Sequence, residues 1–265
     1  MIPKIIHYCW FGPHDIKKNE VIQSCMHSWR DILPEYEIKI WNESNVNIDS
    51  LPPFAIQAYK NKKWAYVADV VRFQKLYEYG GVWLDTDMLI LKDFSSLLEK
   101  NNQSYGDLSV WGYEDDVHIS CGIIAANKNN KIIKQISNFY IDHYKNNNLN
   151  NIIAIPKIVS TIINKAFEFE KYNDENNKIN TFLKNKEGDI IKIYNAEYFY
   201  PLSNANKKED YKRFITDKSY AVHMWNYSWQ PWYMRLMSSF GIVQIGKAIL
   251  RGKIRIIIKK ILHLG

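Results

Sequence analysis

Residues 64–91 read WAYVADVVRFQKLYEYGGVWLDTDMLIL. Asp69, Arg72 and Leu76 fall at helical spacing, so Asp69 and Arg72 share one face. Gly80-Gly81 then stops the helix, as glycine does at a left-handed C-terminal position. An apolar strand, VWLD, follows at once, and MLIL after Asp87 reads as a second strand segment. Helix, glycine turn and buried strand in this order predict an α/β domain with a central sheet.

Asp85 and Asp87 are two residues apart, where the strand is interrupted. In extended chain that spacing puts both carboxylates on one side. Two acids so placed repel each other unless a cation joins them. Oxygen-rich ligation suits Mg²⁺ or Mn²⁺, which also bind the pyrophosphate of a nucleotide sugar. Such a metal neutralises charge growing on a departing diphosphate. A bare D-x-D is equally the pattern of a solvated turn. The composite of A-x-x-D-x-x-R, Gly-Gly, strand and D-x-D carries the reading.

Outward from this stretch the chain keeps alternating elements. Residues 4–10 read as a buried first strand, 19–30 as a helix ending before Pro34, and 36–41 as a second strand. A turn-rich connection leads to helical residues 54–79, divided near Asn61–Lys63. Strands are expected at 108–113 and 119–126, and a helix at 130–145. An Asn-rich loop at 145–151 precedes an amphipathic helix at 156–168. Residues 171–188 read as a polar connection, and strands follow near 190–194 and 219–225.

The composite resembles glycosyltransferase family 32, the group with a D-x-D sugar-binding region. That group includes yeast α-mannosyltransferases and bacterial capsule and O-antigen enzymes, and clostridial toxin glucosyltransferase domains show a similar core. The matching residues are Ala65, Asp69, Arg72, Leu76, Tyr77, Gly80, Gly81, Asp85 and Asp87. The opening IPKIIHYCWFG looks like the family's first strand, and VHMWNYSW at 222–229 looks like its H-x-x-x-x-S-W ending.

The resemblance implies a GT-A fold: a Rossmann-like mixed central sheet flanked by helices. It implies a nucleotide-sugar donor, a divalent metal (Mn²⁺ or Mg²⁺) and retention of anomeric configuration. Trp10 would stack on the base. Asp69 and Arg72 would hold donor sugar hydroxyls. Asp85 would contact ribose or a metal-bound water, and Asp87 would ligate the metal. His223 would approach the metal or diphosphate, and Ser228 and Trp229 would close over the diphosphate. Trp83 stands where related sequences often carry Tyr before L-D-x-D. That keeps an aromatic wall, removes a hydroxyl and leaves any hydrogen bond from the position open.

Several other residues have a structural reading beside a functional one. His7, on the first strand with Trp10, reads as a satisfied core histidine. Glu114, Asp115 and Asp116 read as an exposed acidic loop, with an acceptor-facing role as the alternative. His118 and Ser120 flank the next strand, where they are placed to line an acceptor side. Cys9, Cys25 and Cys121 are odd in number and lack metal spacing, so they read as small buried hydrophobes.

Composition sets the outer limits. Of 265 residues, 46% are hydrophobic and 24% charged, so the chain can bury a core. The aromatic share of 14%, with nine Trp and 18 Tyr, suits both core filling and the stacking of sugars or bases. The net charge of +7 is uneven: six of the 35 Lys and Arg lie in 236–265, which holds no acid, leaving 29 against 28 acids elsewhere. In that tail Lys247, Arg251, Arg255 and Lys259 recur every four residues among Ile245, Ile249, Ile254, Ile257, Ile258 and Ile261. This predicts a basic amphipathic helix at 236–265 after a catalytic domain at 1–235. An anionic bilayer would attract such a helix; packing on the domain is the alternative. Nucleic acid is not expected, since no nucleic-acid motif accompanies the charge. The N-terminus lacks the pattern of a secretory signal, and no 18-residue apolar run occurs. The expected place is the cytoplasm, at the inner face of the membrane.

The expected function is transfer of a hexose or N-acetylhexosamine, with UDP-sugars favoured. The acceptor is expected to be a glycan on a lipid carrier, in O-antigen or capsule synthesis. The rival readings are a toxin-like protein glycosyltransferase and a non-catalytic nucleotide-sugar or membrane-binding protein.

Overall fold

The computed structural model describes residues 1–99, 106–143, 154–165, 170–172, 180–206 and 208–226. In chain order the elements are β1 (Ile5–Cys9), α1 (Glu20–Ile32), β2 (Glu37–Trp41), α2 (Pro53–Lys60), α3 (Trp64–Tyr79), β3 (Gly81–Leu84) and β4 (Met88–Ile90). There follow β5 (Leu108–Tyr113), β6 (Ile119–Ala126), α4 (Lys131–His143), α5 (Ile155–Lys165), β7 (Glu170–Tyr172), β8 (Thr181–Lys184), β9 (Ile190–Tyr194), α6 (Ala196–Phe199) and β10 (Ala221–His223).

Eight strands form one mixed sheet in the order β2-β1-β3-β6-β5-β9-β8-β7. β1 runs parallel to both β2 and β3, β6 is antiparallel to β3 and β5, and β9 is parallel to β5. This is the helix-flanked mixed sheet that the sequence implies. Period-2 alternation divides its two faces. Trp83, Ile124 and Ala126 pack into the core with α2, α3, α4 and α5. Val82, Leu84, Ile123 and Ala125 pack into the opposite core with α1 and α6.

The turn from α3 into β3 needs its two glycines. Gly80 has φ +68° and its N–H closes on the Leu76 carbonyl at 2.9 Å. At Gly81, φ is +102° and a Cβ would lie 2.6 Å from the Ile5 carbonyl oxygen. Side chains are strained at such φ values, and here they would also push β1 and β3 apart.

The strand segment after Asp87 leaves the main sheet. β4 pairs antiparallel with β10, with Met88 opposite His223. Helix α1 holds it there. Asn19 caps α1 by accepting from the Ile22 N–H, and Ile22, Cys25, Met26 and Trp29 form its buried stripe. Trp29 Nε1 donates to the Met88 carbonyl at 2.7 Å, and the Ile90 N–H donates to Ser28 Oγ at 2.9 Å.

Two expectations need correction. Residues 85–87 are not extended: Met88 N–H bonds the Asp85 carbonyl at 3.0 Å, making a tight turn. The polar stretch 171–188 is not simply a connection, since β8 and part of β7 extend the sheet from β9. Phe182 and Leu183 are buried on opposite faces, a signal too short to stand out among polar neighbours. The 145–151 loop, Ser228, Trp229, the expected boundary at 235 and the tail helix at 236–265 lie outside the described residues. Among the described residues no helix is long and apolar enough to cross a membrane.

Candidate active site

The Asp85–Asp87 turn opens into a cleft of about 400 Å³ at the C-terminal ends of β1 and β3. This volume is within the range of small-molecule sites. Ligand switch points in open α/β sheets lie at the same end of the strands. Pairing of β4 with β10 brings His223 to the turn across 136 residues of chain. One ligand atom each from Asp85, Asp87 and His223 lies within 4.8 Å of the others. Two carboxylates and an imidazole make the mixed oxygen–nitrogen donor set that suits Mn²⁺, with Mg²⁺ favouring the oxygens. The residues therefore fit the divalent cation that the sequence implies.

Asp87 and His223 also hold each other. His223 Nε2 lies 3.1 Å from Asp87 Oδ1, and the Asn226 N–H donates to Asp87 Oδ2 at 2.8 Å. Burial opposes ionisation of Asp87, yet the imidazolium and these hydrogen bonds keep its carboxyl below the usual range. Burial likewise opposes the imidazolium of His223, and Asp87 outweighs it, raising the histidine. His223 Nδ1 is buried without a hydrogen-bond partner. Trp225 covers the ring at 4.0 Å between centroids. Its φ of +45° is rare for a bulky side chain and is a local strain beside the cleft. No sequence pattern marked Trp225.

Asp85 is held from the other side. Its Oδ1 accepts from Arg72 Nη2 at 2.7 Å and from Trp83 Nε1 at 3.0 Å. The indole thus supplies a hydrogen bond at the position where the family often carries a tyrosine. Arg72 also pairs with Asp69 at 3.4 Å, and the guanidinium lies 5.2 Å over the Trp83 ring. Arg72 is only 5% exposed. Burial alone would weaken its charge, but Asp85 and Asp69 raise its pKa. Burial pushes Asp69 up to about 6, partly offset by Arg72. The expected shared face of Asp69 and Arg72 is therefore an ion pair that reaches the D-x-D turn and lines the cleft.

Trp10 lies at the end of β1 and lines the same cleft, with its Nε1 donating to the His14 carbonyl at 2.6 Å. Trp64, from the start of α3, covers Gly12, where a Cβ would lie 2.6 Å from the indole. The acidic run divides. Glu114 turns into the cleft, whereas Asp115 and Asp116 are exposed. His118 pairs with Asp115 at 2.8 Å, and Ser120 lines the cleft. Cys9 and Cys121 also reach the cleft wall, unlike plain core cysteines, and burial raises both thiols. Cys25 is buried in α1. The structure brings together Trp10, Asp69, Arg72, Trp83, Asp85, Asp87 and His223 around one cleft.

The family model described as capsular polysaccharide synthesis protein matches residues 1–224. A 93-residue stretch is 33% identical to inositol phosphoceramide mannosyltransferase 3 of Schizosaccharomyces pombe, covering 33% of this chain and 24% of that protein. The chain thus spans about a quarter of the length of this curated relative. Among solved structures, PaToxG glycosyltransferase is similar with a TM-score of 0.48 and 18% identity, over 61% of this chain and 69% of that one. A glycosyltransferase involved in glycosylation of the major capsid of PBCV-1 gives a TM-score of 0.42 and 12% identity, over 84% and 94%.

Proposed function

The chain belongs to the capsular polysaccharide synthesis family, and on that premise we propose that it is a retaining, metal-dependent glycosyltransferase. It moves a hexose or N-acetylhexosamine from a nucleotide sugar, with UDP-sugars favoured, to a glycan acceptor. The observation that carries the reading is the meeting of Asp85, Asp87 and His223 within 4.8 Å, beside the Asp69–Arg72 pair. A Mn²⁺ or Mg²⁺ ion held by these three would supply charge neutralisation at the diphosphate.

The chain's own residues account for the rest. Arg72 and Trp83 fix the Asp85 carboxylate, so that it need not reorganise when donor binds. Asp69 faces the cleft and accepts donor sugar hydroxyls, with Arg72 holding it in place. Trp10 offers a flat wall for the base. The acceptor hydroxyl attacks the anomeric carbon from the leaving-group side as the bond from that carbon to the diphosphate oxygen breaks. The nucleoside diphosphate leaves, and one of its phosphate oxygens takes the hydroxyl proton. Ser228 and Trp229 are assigned to closing over the diphosphate.

The acceptor is a glycan on a lipid carrier, in assembly of a surface polysaccharide such as capsule or O-antigen. The basic, Ile-rich residues 236–265 motivate this, because they suit an anionic membrane surface on the cytoplasmic side. Flotation with anionic liposomes should fall when residues 241–265 are removed, and equal flotation would count against membrane contact.

A thermal-shift screen of UDP- and GDP-sugars with and without Mn²⁺ tests the donor and metal together. A ligand that binds only the folded state raises its stability. A UDP-sugar is expected to raise Tm only with Mn²⁺ present. No shift with any nucleotide sugar would overturn the proposal, and binding without metal-dependent donor turnover would leave a non-catalytic binder.

A further inference from the structure

The cleft holds one carboxylate that neither the metal cluster nor the Asp69–Arg72 pair uses. Glu114 leaves the end of β5 and reaches the cleft from the β5–β6 hairpin, apart from the α3–β3 segment that carries Asp69, Arg72 and Asp85. It does not join the three residues whose ligand atoms cluster within 4.8 Å.

The hairpin is built to hold this side chain still. Glu114 N–H closes the loop on the His118 carbonyl at 2.9 Å. Asp115 Oδ1 accepts from the N–H groups of Val117 and His118 at 2.8 and 2.7 Å, and its carboxylate pairs with the His118 ring. Asp115 thus turns outward to brace the loop while Glu114 turns inward. Pairing of β5 with β6 also shifts register between Val110 and Gly112, the kind of irregularity that re-aims side chains beside sites.

Two buried hydroxyl side chains, Ser120 and Tyr200, adjoin this part of the cleft wall. The Ile123 N–H donates to Tyr200 Oη at 2.8 Å, which leaves the phenol proton free to donate. Ser120 is near both the Tyr200 phenol and the Glu114 carboxyl, and its hydroxyl counters the upward push of burial on each. Tyr200 is 1% and Ser120 3% exposed, so both hydroxyls are shielded from water.

An ionised carboxylate has about four acceptor sites. Among the described residues, Arg72 is the only lysine or arginine lining the cleft, and its pairing is with Asp85 and Asp69. No lysine or arginine among the lining residues pairs with Glu114, which leaves its acceptor sites open to hydrogen-bond donors on a ligand. A sugar ring carries such donors as hydroxyls, and the surrounding apolar wall of Trp225 and Ile155 suits its C–H faces. Burial raises the Glu114 carboxyl, which a hydroxyl donor would counter on binding.

We infer that Glu114, which lines the cleft with Ser120, binds the acceptor sugar by accepting a hydrogen bond from one of its hydroxyls. The inference rests on the glycosyltransferase reading above. Its substrate class is a hexopyranoside, presented at the β5–β6 hairpin.

The test compares wild type, Glu114→Ala, Glu114→Gln and Ser120→Ala. Titration calorimetry with UDP and MnCl₂ reads the donor side. Transfer to a panel of p-nitrophenyl hexosides and N-acetylhexosaminides, with the nucleotide sugar picked by the screen above, reads the acceptor side. Glu114→Ala is expected to lower kcat/KM for the acceptor by roughly 10- to 100-fold, the worth of a hydrogen bond to a charged group. Glu114→Gln keeps an acceptor oxygen and should recover part of that loss, and Ser120→Ala should lie between. UDP affinity should stay within about twofold of wild type in all three, a split that mere damage to the fold would not give. Wild-type acceptor kinetics in Glu114→Ala would overturn the inference, as would a loss confined to UDP binding. Wild type that binds and turns over donor yet glycosylates no panel sugar would also overturn it. Failure of wild type to bind any nucleotide would instead sink the glycosyltransferase reading.

Discussion

Two buried histidines occupy the two ends of this molecule's logic. His7 lies in β1 and His223 in β10, and both are at most 9% exposed. His7 meets only neutral partners: its Nε2 lies 2.8 Å from the Gly80 carbonyl, and Trp41 Nε1 donates to its Nδ1 at 3.2 Å. One nitrogen donates and the other accepts, so the ring is neutral and satisfied. Burial pushes it down to about 4. His223 meets Asp87 instead and is raised, while its Nδ1 has no partner. Burial is common to both, so burial does not distinguish a core histidine from a site histidine. The charge of the neighbour does.

The sharpest break of this comparison is at Asp87. Asp87→Ala removes a proposed metal ligand together with the partner of His223. Transfer is expected to fall by at least about 10³-fold, in the range seen when a main electrostatic contact at a reacting centre is lost. Circular dichroism should report an intact fold. Near-normal transfer would end the metal assignment.

Acid should separate the histidines next. Unfolded, His7 takes up its proton near pH 6.5; folded, it resists until about pH 4. Between these values the unfolded chain binds more protons, so this contribution is complete above the window and is lost as pH falls through it. The full effect is roughly 3 kcal/mol. His223 has the opposite sign. Its contribution is complete below its unfolded value and is lost as pH rises through its raised folded value. Urea melts of metal-free wild type and His7→Phe from pH 7.5 to 4.5 should show the variant losing less stability in acid. Parallel curves would remove His7 as the source.

His7→Phe at neutral pH is a smaller change. It strands the Trp41 N–H and the Gly80 carbonyl in the core, at a cost of about 2 kcal/mol. Donor binding per folded molecule should be unaffected, which calorimetry at matched folded fraction would check. The smallest expected effect is at Trp83. Trp83→Phe keeps the ring beside Arg72 and removes the indole N–H from Asp85, so the loss should be about 1 kcal/mol in urea midpoint terms. A loss as large as that of His7→Phe would mean that Trp83 matters chiefly by packing.

How much was legible depended on range along the chain. The α3–Gly-Gly–β3 passage was readable because its signals are local: a 3.6-residue period, a glycine stop and an apolar strand. The ion pair of Asp69 and Arg72 followed from the same period. The strands β7 and β8 were missed because three or four residues are too few for an alternation to stand out among polar neighbours. Glu114 was misread with its neighbours as part of an exposed loop. Adjacent acids look alike in sequence, and only the loop's closure on His118 sends one inward and the next outward.

The sequence by itself determined the order of elements, the glycine turn, the carboxylate pair and the identity of the distant histidine, because each is a matter of residue type and near spacing. Tertiary structure decided what those residues are to each other. The D-x-D turn is not extended, and its carboxylates point to different partners, Asp85 to Arg72 and Asp87 to His223. That division arises because β4 leaves the main sheet to pair with a strand more than 130 residues away, held by Trp29 and Ser28 of α1. A pairing of that range leaves no period in the sequence, since it depends on the whole sheet being assembled first.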